Sequence, residues 1–508
     1  MNRQLRAAGE LLSTQIGRVP AVGDLGRLFA RSGFELALVG GPVRDIFLGE
    51  PLGAGDLDLT TNATPEQVLA LVTDWADATW TVGIAFGTIG LRKGRAMFEI
   101  TTYRSEAYSS RSRKPEVSYG RSLEEDLSRR DFTINAMAVR LPGIEFVDPF
   151  GGLTALRDRQ LRTPGRAVDS FSDDPLRILR AARFTAKLGV SVADEVRAAM
   201  TEMRGRLEIV SAERITGELT KLMLTRDPAA GIDLLVQTQV ADEILPEISK
   251  LRMEVDEHHR HKDVYQHSLT VLRQAIDLEP RYELSGDLVV RLAAILHDIG
   301  KPRTRTPLPG GKVAFHHHEV VGAKMARSRL TKLRFPNDVI RDVSELVALH
   351  LRFHGYGGQG GPGGSLPPSS QGGPGGRLPP SETAWTDSAV RRYVRDAGPL
   401  LDRLHVLTRA DCTTRNVRKA ERLARAYDSL EQRIAELREQ EELDKLRPDL
   451  DGNAIMRILG IKPGPRVGEA YQFLLDLRIN EGELGPERAT AELLQWARAR
   501  GVLPPSDD

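Results

Sequence analysis

One cysteine, Cys412, is present in 508 residues, which excludes an internal disulfide framework and a cysteine-rich zinc module. No apolar run approaches the ~20 residues that a membrane-crossing helix needs. Met1 to Pro20 mixes charge and polarity and lacks the apolar centre of a secretion signal, so a cytoplasmic protein with no membrane partner is expected. An excess of either charge is missing too: 71 basic side chains face 70 acidic ones, for a formal net charge of +1. That balance argues against a general nucleic-acid coat and leaves any nucleic-acid contact to local basic patches.

The length exceeds what one core usually fills, so several domains are expected. Glu35-Leu-Ala-Leu-Val-Gly-Gly-Pro-Val-Arg-Asp45 reads as a short apolar strand running into a turn and a helix start. A second strand is expected at Asp56–Thr60 and a third at Met97–Arg104. From about residue 175 helical periodicity takes over, as in Pro175–Leu188 and Ala212–Leu224. Gly355–Pro380 is almost wholly Gly, Pro, Ser and Gln and has too little apolar surface to offset its ordering entropy; it reads as a disordered insertion. Amphipathic helices return over Leu450–Leu503. The fold class is therefore an α/β head followed by an all-α body.

Two features in the head suit phosphate chemistry. Gly40-Gly41 lets the backbone approach an anion closely, and Arg44 adds a fixed charge matched to a triphosphate. Asp56 and Asp58 stand at i and i+2 of a strand and so project to one face, while Leu57 and Leu59 face the core. Two such carboxylates suit a pair of Mg²⁺ ions ~3.5–4 Å apart. Glu99 alternates in the same way and is either a third carboxylate or a surface glutamate.

These residues resemble the class II tRNA nucleotidyltransferase and bacterial poly(A) polymerase family, within the polymerase β superfamily. Further motifs follow in the family's order: Arg129-Arg130-Asp131-Phe132-Thr133-Ile134-Asn135-Ala136, then Asp148-Pro149-Phe150-Gly151-Gly152, then Asp173-Asp174-Pro175-Leu176-Arg177, where Asp173 replaces the family's usual Glu. The resemblance covers roughly residues 35–260. It implies a mixed-sheet polymerase β-like head, Gly41 and Arg44 on the triphosphate, Asp56 and Asp58 on the metals with Glu99 as the third catalytic carboxylate, and Arg130 and Asp131 near the phosphates and ribose.

Asp174, Arg177, Arg180 and Arg183 recur every three residues on a predicted helix with Pro175 in its first turn and Ser172 or Asp173 as cap; they read as one slanting stripe. In the family the Asp and Arg of this motif hydrogen-bond the incoming base. Arginine only donates and ionised aspartate only accepts. Cytosine and adenine each offer an acceptor for Arg177 and an amino group for Asp174, whereas guanine and uracil leave groups unpaired. Arg111-Ser112-Arg113-Lys114 reads as a mobile basic loop near the site or as a solvated one.

Histidines gather between 258 and 354. The order His267, His297-Asp298, Asp411 resembles the HD phosphohydrolase superfamily, which implies a transition metal such as Mn, Fe, Ni or Co; a degenerate helical scaffold is the alternative. His316, His317, His318 and His350 are candidates for a second metal, and Lys301 for a phosphate contact. The expected division is a nucleotidyltransferase head at 20–160, a helical neck and RNA-binding body at 161–250, an HD domain at 255–425 and a helical tail at 426–508. The fused HD module and the tail Asp451–Leu477 look like CCA-adding enzymes of high-GC Gram-positive bacteria. The expected activity is CCA addition to the tRNA 3′ end from CTP and ATP, with no protein partner evident. Poly(A) or A-only addition is the alternative, followed by a phosphohydrolase with a relic head.

Overall fold

The computed structural model describes residues 3–53, 55–107, 116–120, 122–253, 263–309, 313–355, 385–413, 416–445, 447–481 and 484–503. The head's strands are β1 (Leu36–Val39), β2 (Leu57–Thr61), β3 (Ala78–Trp80), β4 (Thr88–Lys93), β5 (Ala96–Thr102), β6 (Arg104–Ala107), β7 (Glu116–Tyr119), β8 (Ala138–Leu141) and β9 (Glu145–Val147). Seven of them form one sheet in the order β3-β4-β5-β2-β1-β8-β9, while β6 and β7 pair separately. β1 is buried along its whole length between β2 and β8, as its unbroken apolar run requires. β2 pairs in parallel with β5, and the sheet's other pairings are antiparallel. A parallel pair needs a crossover, which here carries the helix Pro65–Val72 and the strands β3 and β4.

The sheet's alternation sorts its side chains. Leu57, Leu59, Ile89, Leu91, Phe98 and Ile100 face one way and pack in the head's main core. On the other face Val39 and Ala138 pack with Leu123 and Leu127 of the helix Leu123–Ser128. Further along that second face, β2 and β5 carry Asp58 and Glu99 directly opposite each other.

Beyond the head the chain is largely helical, including Arg177–Leu188, Ala212–Met223, Val264–Leu278, Leu288–Leu296, His318–Lys332, Asn337–Leu349 and Leu401–Ala410. Two compact units result: residues 1–351 with 402–413, and residues 352–401 with 414–508. In the second unit the tail helices Gly452–Leu459, Pro465–Glu481 and Pro486–Ala499 close their own small core around Ile455, Leu474 and Leu493.

Two sequence expectations shift in the structure. The second strand begins at Leu57, so Asp56 stands just before it. The helix expected from Pro175 begins at Arg177; Asp174 is extended, and its Oδ1 accepts from Leu176 N at 3.2 Å instead of joining the helix face. Arg111–Lys114 and residues 356–380 lie outside the described residues.

Arg291, buried within Leu288–Leu296, makes a bidentate pair with buried Glu279 (2.6 and 2.8 Å) and donates to the carbonyls of Met223 (2.8 Å) and Thr225 (2.9 Å). This ties the helix Leu288–Leu296 to the end of the helix Ala212–Met223. Glu279→Ala leaves the guanidinium buried without its carboxylate and is expected to cost about 3–5 kcal/mol. Urea unfolding checks it, and a loss under about 1 kcal/mol would show that the pair is not a structural anchor.

Candidate active sites

At the end of β1, Gly40 takes φ +74°, a conformation that side chains disfavour, and a Cβ there would lie 2.8 Å from Arg130 Nη1. The turn thus brings the Arg130 guanidinium against the backbone where the helix Gly41–Phe47 begins. Arg44, on that helix, is buried; it donates from Nε to Asp45 Oδ1 (2.8 Å) and from Nη1 to Asn135 Oδ1 (2.6 Å). Asn135 Nδ2 donates in turn to Asp131 Oδ1 (2.9 Å), and Asp131 Oδ2 pairs with Arg180 Nη2 at 2.7 Å. One polar chain therefore runs from the turn to the helix Arg177–Leu188. At its centre lies Phe184, with Arg183, Arg44 and Arg180 at 4.4, 5.4 and 5.9 Å from its ring centre.

Asp58 is half-buried at the edge of this array, with Glu99 in register beside it. Burial raises the Asp58 pKa from its ordinary value; Glu99 and Asp56 add to the rise, while Arg130 and Arg44 oppose it. Three carboxylates and two guanidiniums therefore share one electrostatic neighbourhood. Arg130 Nε and Arg180 Nε are buried and find no acceptor among the described residues, which fits a pocket that takes an anionic ligand.

The stripe of Asp174, Arg177, Arg180 and Arg183 divides. Arg214 Nη2 donates to both Asp174 oxygens (3.2 and 3.0 Å). Arg177 donates to Ser170 Oγ (2.8 Å) and to the Arg129 carbonyl (2.5 Å), which sets it beside Arg130. Arg180 joins Asp131, and Arg183 pairs with buried Glu218 at 2.7 Å. Sequence reading missed Phe184 and Arg214, because nothing local marks a ring or an arginine that acts through distant partners. Asn135 was visible inside its motif, though its link between Arg44 and Asp131 was not.

In the body His267, His297, Asp298 and Asp411 converge. His267 Nε2 lies 2.9 Å from Asp411 Oδ1 and 3.4 Å from His297 Nε2, and His297 Nε2 lies 3.2 Å from Asp298 Oδ2. Of the spare histidines, the structure brings in His318, whose Nε2 is 3.3 Å from Asp298 Oδ1, and His350; His316 and His317 are exposed. His297, His318 and His350 each turn Nδ1 to a main-chain carbonyl, of Ala294 (2.8 Å), Phe315 (2.9 Å) and Val347 (2.7 Å). That fixes the tautomer and aims the Nε2 lone pairs inward. Burial would lower the His297 pKa, but the carboxylates of Asp298 and Asp411 beside it outweigh burial and raise it to about 10. Burial holds His350 down at about 3, hence neutral, and its inward Nε2 has no partner among the described residues. Lone pairs and carboxylates converging with one buried acceptor unmet fit a divalent cation, and Asp298 touches both histidine groups. Lys301 Nζ contacts Asp298 Oδ2 at 2.7 Å.

The fold and these two clusters define the class: a mixed-sheet polymerase head on a helical body with a histidine–aspartate module. Three family profiles match in that order, "Poly A polymerase head domain" over residues 36–162, "Probable RNA and SrmB- binding site of polymerase A" over 189–251, and "HD domain" over 264–416. An A-adding tRNA nucleotidyltransferase of Deinococcus radiodurans is 34% identical over 385 residues, covering 74% of this chain and 80% of that protein. A CCA-adding enzyme of Anoxybacillus flavithermus is 38% identical over 256 residues, covering 50% of this chain and 59% of that one. The solved Thermotoga maritima CCA-adding enzyme, complexed with tRNA, shares the fold with a TM-score of 0.55 at 17% identity over 96% of this chain and 98% of its own. The chain belongs to the class II tRNA nucleotidyltransferase and poly(A) polymerase family, in the form that carries an HD domain. Among the described residues no helix is long and apolar enough to cross a membrane.

Proposed function

We propose that the chain adds C, C and A to the 3′ end of tRNA from CTP and ATP, with the division into head, neck, HD domain and tail drawn from the sequence. The observation that carries this reading is the in-register pair Asp58 and Glu99, with Asp56 beside them and Arg44 and Arg130 on the flank. Bound at the carboxylates, Mg²⁺ would supply Lewis acidity to the attacking hydroxyl and the leaving pyrophosphate. The Gly41 backbone, Arg44 and Arg130 take the triphosphate, and Asp131, fixed by Asn135 and Arg180, lies where the ribose follows. Asp174 and Arg177 read the base. Arg214 holds the Asp174 carboxylate in place with donors, as the amino group of cytosine or adenine would. Arg183, paired with Glu218, holds the helix that carries this set.

Addition of adenosine alone is the second reading, favoured by the Deinococcus relative and its long coverage. Both readings are separated by incubating tRNA that lacks CCA, and tRNA ending in CC, with Mg²⁺ and CTP, ATP or both. Two cytidines and then one adenosine are the expected product. Adenosine on the CC-ended tRNA alone supports the second reading, and long adenosine tracts on any RNA support a poly(A) polymerase.

At the second site His267, His297, Asp298 and Asp411 would hold one transition metal, with His318 and His350 sharing Asp298 around another. Lys301, held by Asp298, would meet a phosphate. The matching activity is hydrolysis of a phosphate ester, such as a cyclic or terminal phosphate at an RNA end.

A further inference from the structure

We infer that Trp80 is the platform on which the 3′-terminal base of the RNA primer stacks, an assignment that rests on the nucleotidyl-transfer reading above. Strand register sets the argument. Trp80 pairs with Gly90, Gly90 with Glu99, and Glu99 with Asp58, so four positions form one row across β3, β4, β5 and β2. Directly paired residues project from the same face, so Trp80 shares the face that bears the carboxylates. The side chains at either side of Gly90, Ile89 and Leu91, are buried on the opposite face.

The indole does not lean away from the row. A Cβ at Gly90 would lie 1.9 Å from Trp80 Nε1 and 2.1 Å from Cε2, so the ring fills the space over Gly90, on the strand next to Glu99. Glycine weakens a strand interior and is tolerated where another group must come close. Here that group is an aromatic ring, one strand away from a candidate catalytic carboxylate. Trp80 is half-buried, and beyond it Val82 (91% exposed) and Ile84 (39% exposed) extend an apolar surface into solvent.

The chemistry decides which nucleotide meets that ring. Arg44 and Arg130 lie on the β1 side of Asp58, and Arg177 contacts the Arg129 carbonyl on the same side. Triphosphate and incoming base therefore belong there. Phosphoryl transfer sets the attacking and leaving oxygens roughly in line, so the attacking 3′ hydroxyl approaches from the opposite, Glu99 side. Strands are ~4.8 Å apart, which sets Gly90 and the ring over it within one nucleotide of Glu99. Every base has a π-face, so a stacking platform accepts a primer end that changes identity with each addition.

The test uses the full-length protein, CC-ended tRNA and ATP. Trp80→Ala is expected to raise the KM for tRNA by roughly 10–100-fold while the KM for ATP moves by less than about twofold. Trp80→Phe, which keeps a ring, recovers most of that loss. In tRNA titrations without nucleotide, wild-type fluorescence is quenched and the quench is lost in Trp80→Phe, although Trp75, Trp385 and Trp496 remain. Should Trp80→Ala fail to fold, Trp80→Phe and the quench still decide. An unchanged tRNA KM in Trp80→Ala, a rise confined to the ATP KM, or an undiminished quench in Trp80→Phe overturns the platform. Absence of incorporation by the wild type overturns the transfer reading instead, and the quench then reports on Trp80 alone.

Discussion

Asp58→Asn is expected to lower nucleotide incorporation by at least ~1,000-fold, about 4 kcal/mol of lost transition-state stabilisation, while leaving the fold intact or more stable. Asparagine keeps the shape but removes the charge that the proposed metal site requires. The stability half follows from the raised pKa. A carboxyl that holds its proton more tightly when folded than when unfolded makes its ionised form costly to the fold. That cost is present at neutral pH and shrinks as pH falls through the raised folded value. Without Mg²⁺ the variant should therefore melt at or above the wild type at neutral pH, and the gap should close on acidification. Adding Mg²⁺ should raise the wild-type melting temperature and leave the variant where it was. Retained incorporation would remove Asp58 from the chemistry, and a lower melting temperature without Mg²⁺ would contradict the electrostatic account.

The second large effect is expected at Asp298→Asn. Asp298 is buried, contacts His297, His318 and Lys301, and belongs to both candidate metal groups. Its loss should strip transition metal from the purified protein, measured by elemental analysis. Hydrolysis of a 2′,3′-cyclic nucleotide or an aryl phosphodiester should fall by ~1,000-fold or more. Nucleotide incorporation by the head should continue, since none of the head's carboxylates or arginines contacts this cluster in the interactions described above. Full metal content in the variant would mean that Asp298 does not hold the metal, and a metal-free wild type would mean that the histidines serve as scaffold. Loss of incorporation together with hydrolysis would mean that the two sites are not independent.

The head's motifs were legible because each is local: a strand into a glycine turn, an i, i+2 pair, an arginine–aspartate–asparagine run. Even Glu99 could be read from alternation. What could not be read was adjacency. That β5 lies beside β2, with Glu99 level with Asp58, depends on a crossover whose strand order leaves no mark in hydrophobic pattern. The same holds for Trp80 over Gly90 and for Phe184 beneath three guanidiniums. Period-three spacing misled at Asp174, where Pro175 and the Asp174–Leu176 bond hold the chain extended and delay the helix to Arg177. In the body the order of the candidate ligands was legible. The choice of His318 and His350 over their neighbours was not, because it depends on which residue starts or ends a helix at the cluster.

The in-register pair of Asp58 and Glu99 carries a further consequence for how this family can drift. Facing on a strand is a matter of parity, since one inserted residue turns every later side chain to the other side. The β4–β5 hairpin is closed by the two residues Gly94 and Arg95. A single insertion within β5 ahead of Phe98 would send Glu99 into the apolar core and bring Phe98 out among the carboxylates. Point substitutions on β5's surface should thus be tolerated far better than any odd change in its length, so a scan of insertions and deletions should find this strand among the least forgiving in the head.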